Sequence, residues 1–440
     1  MTGFDYPALK ALATKLGRPA STLFALAPCN DPFYIGPARV KAAEWFADQW
    51  QLLGIPRNWH YRRIHYVFVS QDTALLMLDG KPYKNTLECW GALCLAARDA
   101  IALELVPQDA FADHRNAEPI IYLVEPQEAG VEVAYGELNE LAGRFPPLPR
   151  LDFDYPTVPQ WFHIEVWAEK TTVNDVLEPL AKRYGFNLVT GIGELSATRC
   201  REFVDRAMRS TRPVRILYIS DFDPAGASMP VAVARKIEFE IHRRRLDLDV
   251  QLRPIVLTHE QCIEHALPRI PIKETERRAT RFEERYGEGG TELDALEALR
   301  PGLLRQIVAD EVERYWNEYH DAAVDAICAS ITEQFREITT QAHNLYQDEI
   351  AELRAEWDKI RATIEAWNEQ AKPIWQAITN ILEGSTPDLD NIEWCPSFVA
   401  NEDPDPLYDS TRSYIEQIDR YKKHQGKPTG RKGARRETGG

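Results

Sequence analysis

The sequence predicts an α/β core followed by a long helical segment, and three observations support this fold class. The first 150 residues contain two amphipathic helical patterns, around 36–53 and 85–103. Residues 160–260 alternate between strand and helix patterns, which is typical of parallel βαβ units. Residues 303–382 are almost free of Gly and Pro and are predicted to be helical. We therefore predict four segments, which comprise residues 1–150, 160–305, 306–383 and 384–440.

The first segment is predicted to be a winged-helix-like DNA-binding domain. Between its two helical patterns, the runs HYVFVSQ and ALLMLDG are candidates for the short strand and the turn of a winged helix. The Pro-rich stretch 145–159 predicts a linker to the next domain.

The second segment alternates regularly along the chain. Apolar runs predict strands at 161–169, 186–191, 214–220 and 250–257. Amphipathic stretches predict helices at 172–185, 196–210 and 225–245, with Gly185 ending the first and Ser196 capping the second. A parallel sheet flanked by helices follows from this order.

The helical segment contains a heptad-like pattern. From Ile350 to Ile381 apolar residues recur at steps of three and four, and Pro373 is expected to kink or split the helix. An intramolecular antiparallel hairpin and an intermolecular coiled coil both fit this pattern. An acidic linker, a short helix near 411–421 and a basic tail are predicted to follow.

The charge distribution bears on nucleic-acid binding. The net charge is −16, which argues against nonspecific coating of nucleic acid. The tail from Arg420 onward is strongly basic, with eight Lys or Arg and one Glu. We expect it to be disordered and to contact DNA phosphates in a salt-dependent way, although a solubilising tail or one without a role is the alternative. The predicted DNA contacts in this tail are Lys422, Lys423, Arg431, Lys432, Arg435 and Arg436.

Several other function classes are disfavoured by the sequence. No apolar run is long enough for a membrane helix, and the N-terminus lacks a signal-peptide pattern. The seven cysteines form no CxxC pair, so a cytoplasmic location is expected. The chain has no GxxxxGK[ST] motif, and any ATP dependence would therefore come from a partner.

The strongest chemical signal is a set of carboxylates at predicted strand ends. Glu169 ends the first strand, and Asp221 and Asp223 follow a later strand in the run SDFDPAG. Parallel sheets bind ligands at the carboxyl ends of their strands, and hard oxygen ligands suit Mg²⁺ or Mn²⁺. The alternative is that the two aspartates only cap a turn and a helix.

The order strand-Glu, helix, strand-GxGE, helix, strand-DxDxxG resembles the TOPRIM domain family over roughly 161–257. The resemblance implies that Glu169, Asp221 and Asp223 bind the metal and take part in catalysis. Further downstream, the runs IKETERRATRF and TELDALEALRPGLL resemble segments of bacterial TOPRIM proteins. By this resemblance Glu292 and Asp294 lie near the metal site.

The run RRIHY, from Arg62 to Tyr66, lies in a predicted helical region and resembles an element of the type IIB DNA topoisomerase (topoisomerase VI) A subunit and its meiotic double-strand-break relatives. In those proteins a winged helix precedes TOPRIM and a tyrosine attacks DNA. Arg62 and Tyr66 match positions of that element, and the resemblance implies that Tyr66 is the nucleophile. A tyrosine with a free pKa near 10 needs a nearby cation, and Arg62 one helical turn earlier is the candidate. Given the acidic net charge, local arginines such as Arg62 and Arg63 are expected to contact DNA. His65 replaces the usual aromatic residue. The alternative is that Tyr66 belongs to a recognition helix or a core, and nearby Tyr61 complicates the match.

Three functions follow as hypotheses. The first is a Mg²⁺-dependent enzyme that cleaves DNA by tyrosine transesterification, acts as a homodimer and pairs with an ATPase subunit, as the resemblance implies. The second is a metal-dependent nuclease of a defence or plasmid-related system, in which water replaces the tyrosine. The third is a catalytically inactive DNA-binding subunit of such a complex.

Overall fold

The computed structural model describes residues 6–27, 30–111, 117–134, 145–191, 193–274, 276–359, 364–386, 389, 392–395 and 397–426. The chain forms two compact units. The first, called here the sheet unit, comprises 1–123, 162–315 and 401–440. The second, called here the helical unit, comprises 124–161 and 316–400. Each unit has its own buried apolar clusters.

The described elements comprise α-helices, strands and short 3₁₀ turns. The helices are α1 (Tyr6–Lys15), α2 (Pro37–Leu52), α3 (Tyr61–Val69), α4 (Leu87–Ala102), α5 (Asn174–Tyr184), α6 (Ala197–Ser210), α7 (Met229–Arg243), α8 (His259–Glu264), α9 (Ala279–Tyr286), α10 (Leu293–Leu299), α11 (Leu303–Glu313), α12 (His320–Asn344), α13 (Gln347–Lys359), α14 (Ile364–Gly384) and α15 (Tyr414–His424). The strands are β1 (Gly130–Ala134), β2 (Arg150–Asp154), β3 (His163–Ala168), β4 (Asn187–Thr190), β5 (Val214–Ile219), β6 (Val250–Val256) and β7 (Tyr408–Asp409).

A five-stranded sheet in the order β4-β3-β5-β6-β7 organises the sheet unit. The first four strands are parallel, and β7 is antiparallel to β6. This confirms the predicted α/β class with a mostly parallel sheet. Because β3 and β5 are adjacent and pair Ala168 with Ile219, the residues that follow the two strands lie side by side.

The elements predicted within 160–260 all form, for local reasons visible in the sequence. Every residue of β3 and β5 is buried, which explains their mostly apolar sequences. Their buried charges are paired, Glu165 with Arg206 and Arg215 with Asp249. The hydroxyl of Ser196 accepts a hydrogen bond from the Arg199 amide and caps α6. Gly185 ends α5 in the left-handed conformation, with φ 71°.

The N-terminal helices α2 and α4 form where the periodicity predicts them. The strand expected in HYVFVSQ was wrong, because this run belongs to helix α3. His60 caps α3 through its ring, and the buried residues Ile64 and Phe68 recur at a helical spacing of four. In the ALLMLDG run, Leu76 and Pro82 form an isolated antiparallel bridge.

The segment after residue 400 is part of the sheet unit rather than a linker. β7 pairs with β6, and Ser413 caps α15 with a capping box. The α15 side chain Tyr421 is fully buried, and the Tyr414 hydroxyl accepts a hydrogen bond from Arg235 at 2.7 Å. The predicted short helix is therefore confirmed, but it packs in the core.

The helical unit contains the β1-β2 pair and α12 to α14. β2 lies within the Pro-rich stretch that was expected to be a linker. The Trp367 indole donates to the Leu353 carbonyl at 3.3 Å, whereas residues fourteen apart in one straight helix lie about 21 Å apart. The heptad-like seam is therefore buried by an intramolecular fold-back of α13 and α14. α14 continues through Pro373, so the predicted split at this proline was wrong.

Among the described helices, none is both long enough and apolar enough to cross a membrane.

Candidate functional site

The carboxyl ends of β3 and β5 bring Glu169 and Asp221 into contact. The Glu169 amide donates to the Ile219 carbonyl at 3.0 Å, which continues the strand pairing by one residue. The Asp221 amide in turn donates to Oε2 of Glu169 at 3.2 Å. Both residues are mostly buried, at 8 % and 6 % exposed. Sheet topology alone therefore places two of the three predicted carboxylates next to each other.

Lys170 connects Asp221 to the downstream acids. Its ammonium nitrogen lies 2.8 Å from Oδ2 of Asp221, contacts Glu292, and lies 3.6 Å from Oδ2 of Asp294. The Thr172 hydroxyl also donates to Asp294 at 3.1 Å. The structure thus brings Glu292 and Asp294 to the strand-end site, as the sequence predicted.

Asp221 and the start of α10 are also joined directly. The Leu293 amide donates to Oδ1 of Asp221 at 2.7 Å. The Phe222 and Thr291 backbones exchange hydrogen bonds of 2.9 Å, which fixes the loop before α10 against the loop after β5. These contacts explain why residues 70 positions apart in sequence form one cluster.

Asp223 has a local contact of its own. Its Oδ1 accepts a hydrogen bond from the Gly226 amide at 2.6 Å. The backbone turn is so tight that a Cβ on Gly226 would lie 2.1 Å from the Asp221 carbonyl oxygen. Asp221 and Asp223 therefore both accept hydrogen bonds from backbone amides, which is the capping role that was the alternative to a metal site. The second carboxylate oxygen of Asp221 contacts Lys170, and the second oxygen of Asp223 is available for a ligand.

Gly226→Ala is expected to destabilise the protein because the Asp221 backbone has to move. We expect a loss of more than ~2 kcal/mol in the free energy of unfolding, measured by urea denaturation. Gly91→Ala is the matched control, since a Cβ at Gly91 in α4 meets no atom within 4 Å. That change is expected to stabilise by about 0.5–1 kcal/mol. Equal effects of the two changes would contradict the tight turn.

The cluster perturbs the acidity of its members. Burial, followed by the charges of Asp221 and Asp223, raises the pKa of Glu169 to about 7. Burial also raises the pKa of Asp221, although the Lys170 ammonium opposes that shift. Hydrogen bonds and charges from Asp221 and Glu292 raise the pKa of Lys170 against the effect of its burial, so that Lys170 stays charged. A cation bound at the cluster would compensate the excess negative charge.

The raised pKa of Glu169 predicts a pH-dependent stability. Folded Glu169 holds its proton more tightly than the unfolded residue with a pKa of 4.5, so its contribution to stability is complete below pH 4.5 and is lost as the pH rises to about 7. The full shift corresponds to roughly 3 kcal/mol. In EDTA, Glu169→Gln should remove this part of the fall in unfolding free energy between about pH 4.5 and 7. Parallel pH profiles of the two proteins would contradict the prediction.

The donor set fits a hard divalent cation, although the carboxylates do not converge on one point. In the ranges that the structure describes, no group of three or more His, Cys, Asp or Glu is arranged so that it could hold a metal ion. The Lys170 ammonium contacts Asp221 and Glu292 in this arrangement. The oxygens of Glu169, Asp221 and Asp223 are the type of ligand that Mg²⁺ or Mn²⁺ takes. A metal site with these ligands stays a prediction.

An open cleft of about 1240 Å³ in the sheet unit is lined in part by Asp221. Its wall also contains Glu194, whose carboxylate pairs with Lys236 at 2.6 Å. Positively charged residues outnumber acids along this wall. The basic residues that line the cleft are Arg98, Lys236, Arg253, Arg278, Arg281, Arg285 and Arg420. Five acids line the same wall, namely Glu194, Asp221, Glu260, Asp403 and Asp405, so that its positive charges exceed its negative ones by two. Arginines beside a strand-end carboxylate are an arrangement suited to a phosphate-bearing substrate.

Tyr66 lies on the exposed side of α3. Its side chain is 51 % exposed, and Arg62 and Arg63 are exposed one turn earlier on the same helix. The Arg62 guanidinium lies 5.7 Å from the Trp90 ring centre. His65 is buried, and its Nδ1 is hydrogen-bonded to the Tyr83 hydroxyl at 2.7 Å. The predicted helical position of Tyr66 is confirmed.

Tyr66 is not among the residues that line the cleft containing Asp221, whereas Tyr61 is. Tyr61 stacks on Phe111 with ring centres 4.3 Å apart. Of the three predicted metal ligands only Asp221 lines this cleft, and Tyr66, Glu169 and Asp223 do not.

The structure describes the predicted basic tail as far as residue 426, which includes Lys422 and Lys423. Lys422 is only 6 % exposed and donates to the Thr22 carbonyl, so its charge is held inside the fold instead of facing DNA. Lys423 is exposed, at 70 % of its side chain, and lies 3.9 Å from Asp405. Four further predicted contacts lie outside the described residues, namely Arg431, Lys432, Arg435 and Arg436.

Two features of the site were not singled out from the sequence. Lys170 directly follows Glu169, and its position beside a strand-end acid was the available signal. The basic residues Arg278, Arg281 and Arg285 recur at steps of three and four along and before α9, which is the spacing of one helix face. Only the folded structure shows which groups the Lys170 and arginine side chains face.

Comparison with known proteins adds no family assignment. No family model matches the sequence, and no curated protein matches it.

Proposed function

We propose that this chain is a DNA-binding, Mg²⁺-dependent enzyme that cleaves DNA phosphodiesters with a TOPRIM-like site. The observation that carries the proposal is the position of Asp221. It belongs to an acidic cluster at the ends of two parallel strands, and it also lines a cleft with seven Lys or Arg side chains. Such a site offers carboxylates to a cation and arginines to the phosphates next to it.

In the topoisomerase VI A-like form, the Tyr66 oxygen forms a bond to phosphorus while the bond to the 3′ oxygen breaks. The phenolic proton leaves to a base, and the released 3′ oxygen takes up a proton. Arg62 stabilises the developing phenolate. In the metal-free site the pKa of Glu169 is raised to about 7, and binding of Mg²⁺ to this carboxylate would release its proton. A bound Mg²⁺ would supply charge neutralisation at the phosphate, with Glu169, Asp221 and Asp223 as its ligands.

The homodimer rests on the resemblance to type IIB topoisomerases, and Tyr66 does not line the cleft with Asp221 in one chain. If the tyrosine acts on the phosphate beside Asp221, the two groups come from different copies of the chain, as they do in the type IIB topoisomerases that the sequence resembles. An ATPase subunit as a further partner rests on the same resemblance. Analytical ultracentrifugation with and without DNA tests the dimer.

The second candidate is a metal-dependent nuclease. The observation that favours it is that Tyr66 does not line the cleft with Asp221, while water reaches that open cleft. Water would then attack the phosphorus, and the products would carry no protein. The third candidate, an inactive DNA-binding subunit, is favoured by the capping roles of Asp221 and Asp223.

Cleavage of supercoiled plasmid by the purified full chain separates these candidates. Both enzyme forms predict nicked or linear product with Mg²⁺ or Mn²⁺ and no product in EDTA. A 5′ protein–DNA adduct that resists denaturation identifies the tyrosine route. DNA binding without cleavage in either metal, alone and with the proteins of neighbouring genes, would support the inactive subunit.

The arginines of α9 are predicted to contact the DNA backbone. The hydrogen bonds of Arg281 and Arg285 go to backbone carbonyls at the end of α15, which leave the guanidinium charge uncompensated by those bonds. The plot of log affinity against log salt concentration has a negative slope, and replacing both arginines with Ser should make it less steep by about 2. The affinities are measured by fluorescence anisotropy in EDTA. Arg336→Ser, on α12 with 72 % side-chain exposure, is the control and should leave the slope unchanged. An unchanged slope in the double variant would exclude α9 from the DNA contact.

A further inference from the structure

Lys170 is the positive charge at the centre of the acidic cluster. Its ammonium contacts Asp221 and Glu292 and lies 3.6 Å from Asp294, and its side chain is 23 % exposed. Three carboxylates thus share one lysine, and Glu169 adds a fourth acidic group at the same strand end, where it accepts a hydrogen bond from the Asp221 amide. One ammonium balances only part of this charge.

The surroundings of Lys170 allow its ammonium to move outward. Glu292 and Asp294 are 48 % and 56 % exposed at the rim of the cluster, whereas Asp221 is 6 % exposed at its inner end. Lysine has a flexible four-carbon stem and a compact charge, so the ammonium can leave one carboxylate while keeping another. Contacts at the rim therefore remain available to Lys170 when its contact with Asp221 is broken.

We infer that Lys170 is a built-in counter-ion of the Asp221 carboxylate, which a divalent cation displaces toward Glu292 and Asp294 at the rim. This inference rests on the proposed function, since it concerns the same cation site. The two cations compete for Oδ2 of Asp221, and a divalent ion compensates more of the cluster charge than one ammonium does. Lys170 thereby weakens metal binding and holds the carboxylates in place before the metal arrives.

Chemical labelling of the wild-type protein tests the displacement directly. The full chain is treated with an acetylating ester in EDTA and in saturating Mn²⁺, and the acetylation rate of each lysine is measured by mass spectrometry. Lys170 should react about threefold faster or more with Mn²⁺, because its buried contact with Asp221 is broken. Lys182, exposed on α5, is the internal control and should not change. Calorimetry on the same samples establishes whether Mn²⁺ binds.

Two substitutions test the competition independently. Lys170→Met should bind Mn²⁺ about tenfold or more tightly than the wild type, because the competing charge is gone. Lys170→Arg keeps the charge and should stay within about threefold of the wild type. Lys182→Met should match the wild type as well.

The outcomes separate this inference from the proposed function. Mn²⁺ binding by the wild type with no change in Lys170 labelling overturns the inference and leaves the cleavage proposal standing. Equal or weaker Mn²⁺ affinity in a folded Lys170→Met protein overturns it too. Absence of Mn²⁺ binding in the wild type and in Lys170→Met overturns the metal-dependent function itself, and the inference with it.

Discussion

Asp223→Asn is expected to abolish metal-dependent DNA cleavage while the fold is retained. The Asn side-chain oxygen can still accept the hydrogen bond from the Gly226 amide, so the turn after β5 keeps its cap. The lost charge removes one proposed ligand, and the cleavage rate should fall at least ~100-fold. The measurement is the initial rate of plasmid cleavage in Mn²⁺ at saturating protein.

Two further variants are compared with Asp223→Asn. Asp247→Asn changes an exposed acid in the loop between α7 and β6, outside the strand-end cluster, and it should cleave at the wild-type rate. Asp221→Asn should also be inactive, but it disturbs Lys170 and therefore the stability of the site. Full cleavage by Asp223→Asn would show that the aspartate pair only caps the backbone.

Tyr66→Phe is expected to eliminate both the covalent protein–DNA adduct and strand cleavage. The exposed Tyr66 hydroxyl is the proposed nucleophile, and phenylalanine has no oxygen to attack phosphorus. We expect a fall of about 1,000-fold or more in the cleavage rate with unchanged DNA affinity. Its half-exposed position makes a loss of stability above ~0.5 kcal/mol unexpected.

Tyr61→Phe is the matched control on the same helix. Tyr61 stacks on Phe111 and lines the cleft, and its ring contacts do not need the hydroxyl. It should retain cleavage. Loss of activity in Tyr61→Phe alone would transfer the nucleophile to Tyr61, and wild-type rates in both variants would favour the nuclease mechanism.

The parallel sheet and the position of its acids followed from the sequence because each signal was local. Mostly apolar runs mark the buried strands β3 and β5, and Ser196 and Gly185 mark helix ends through their own side-chain and backbone chemistry. Glu169 and Asp221 meet because parallel strands end at one edge of a sheet. These rules need no knowledge of distant contacts.

The features that the sequence did not predict depend on contacts between distant segments. α3 has the β-branched and aromatic residues of a strand, but burial of Ile64 and Phe68 on one face favours the helix. α15 is embedded through the Tyr414–Arg235 hydrogen bond, which joins residues 179 positions apart. Lys170 gained its role only when Asp221, Glu292 and Asp294 were brought around it.

The net charge of −16 is consistent with these arrangements. Acids gather at the strand-end cluster, where a divalent cation is expected, and others pair with arginines, as Glu311 and Asp403 do with Arg253. The cleft beside Asp221 nevertheless has seven Lys or Arg against five Asp or Glu in its wall. Local charge, and not the total, is therefore what the DNA-cleavage proposal depends on.

The most direct measurement of the central claim is the rate of supercoiled-plasmid cleavage in a Mn²⁺ titration of the wild type, Asp223→Asn and Asp247→Asn. The account predicts nicked or linear product that rises with Mn²⁺ for the wild type and Asp247→Asn, and none for Asp223→Asn at any Mn²⁺ concentration. Identical Mn²⁺-dependent cleavage by all three proteins would contradict the account. Absence of cleavage by the wild type, even with the proteins of neighbouring genes added, would contradict it as well.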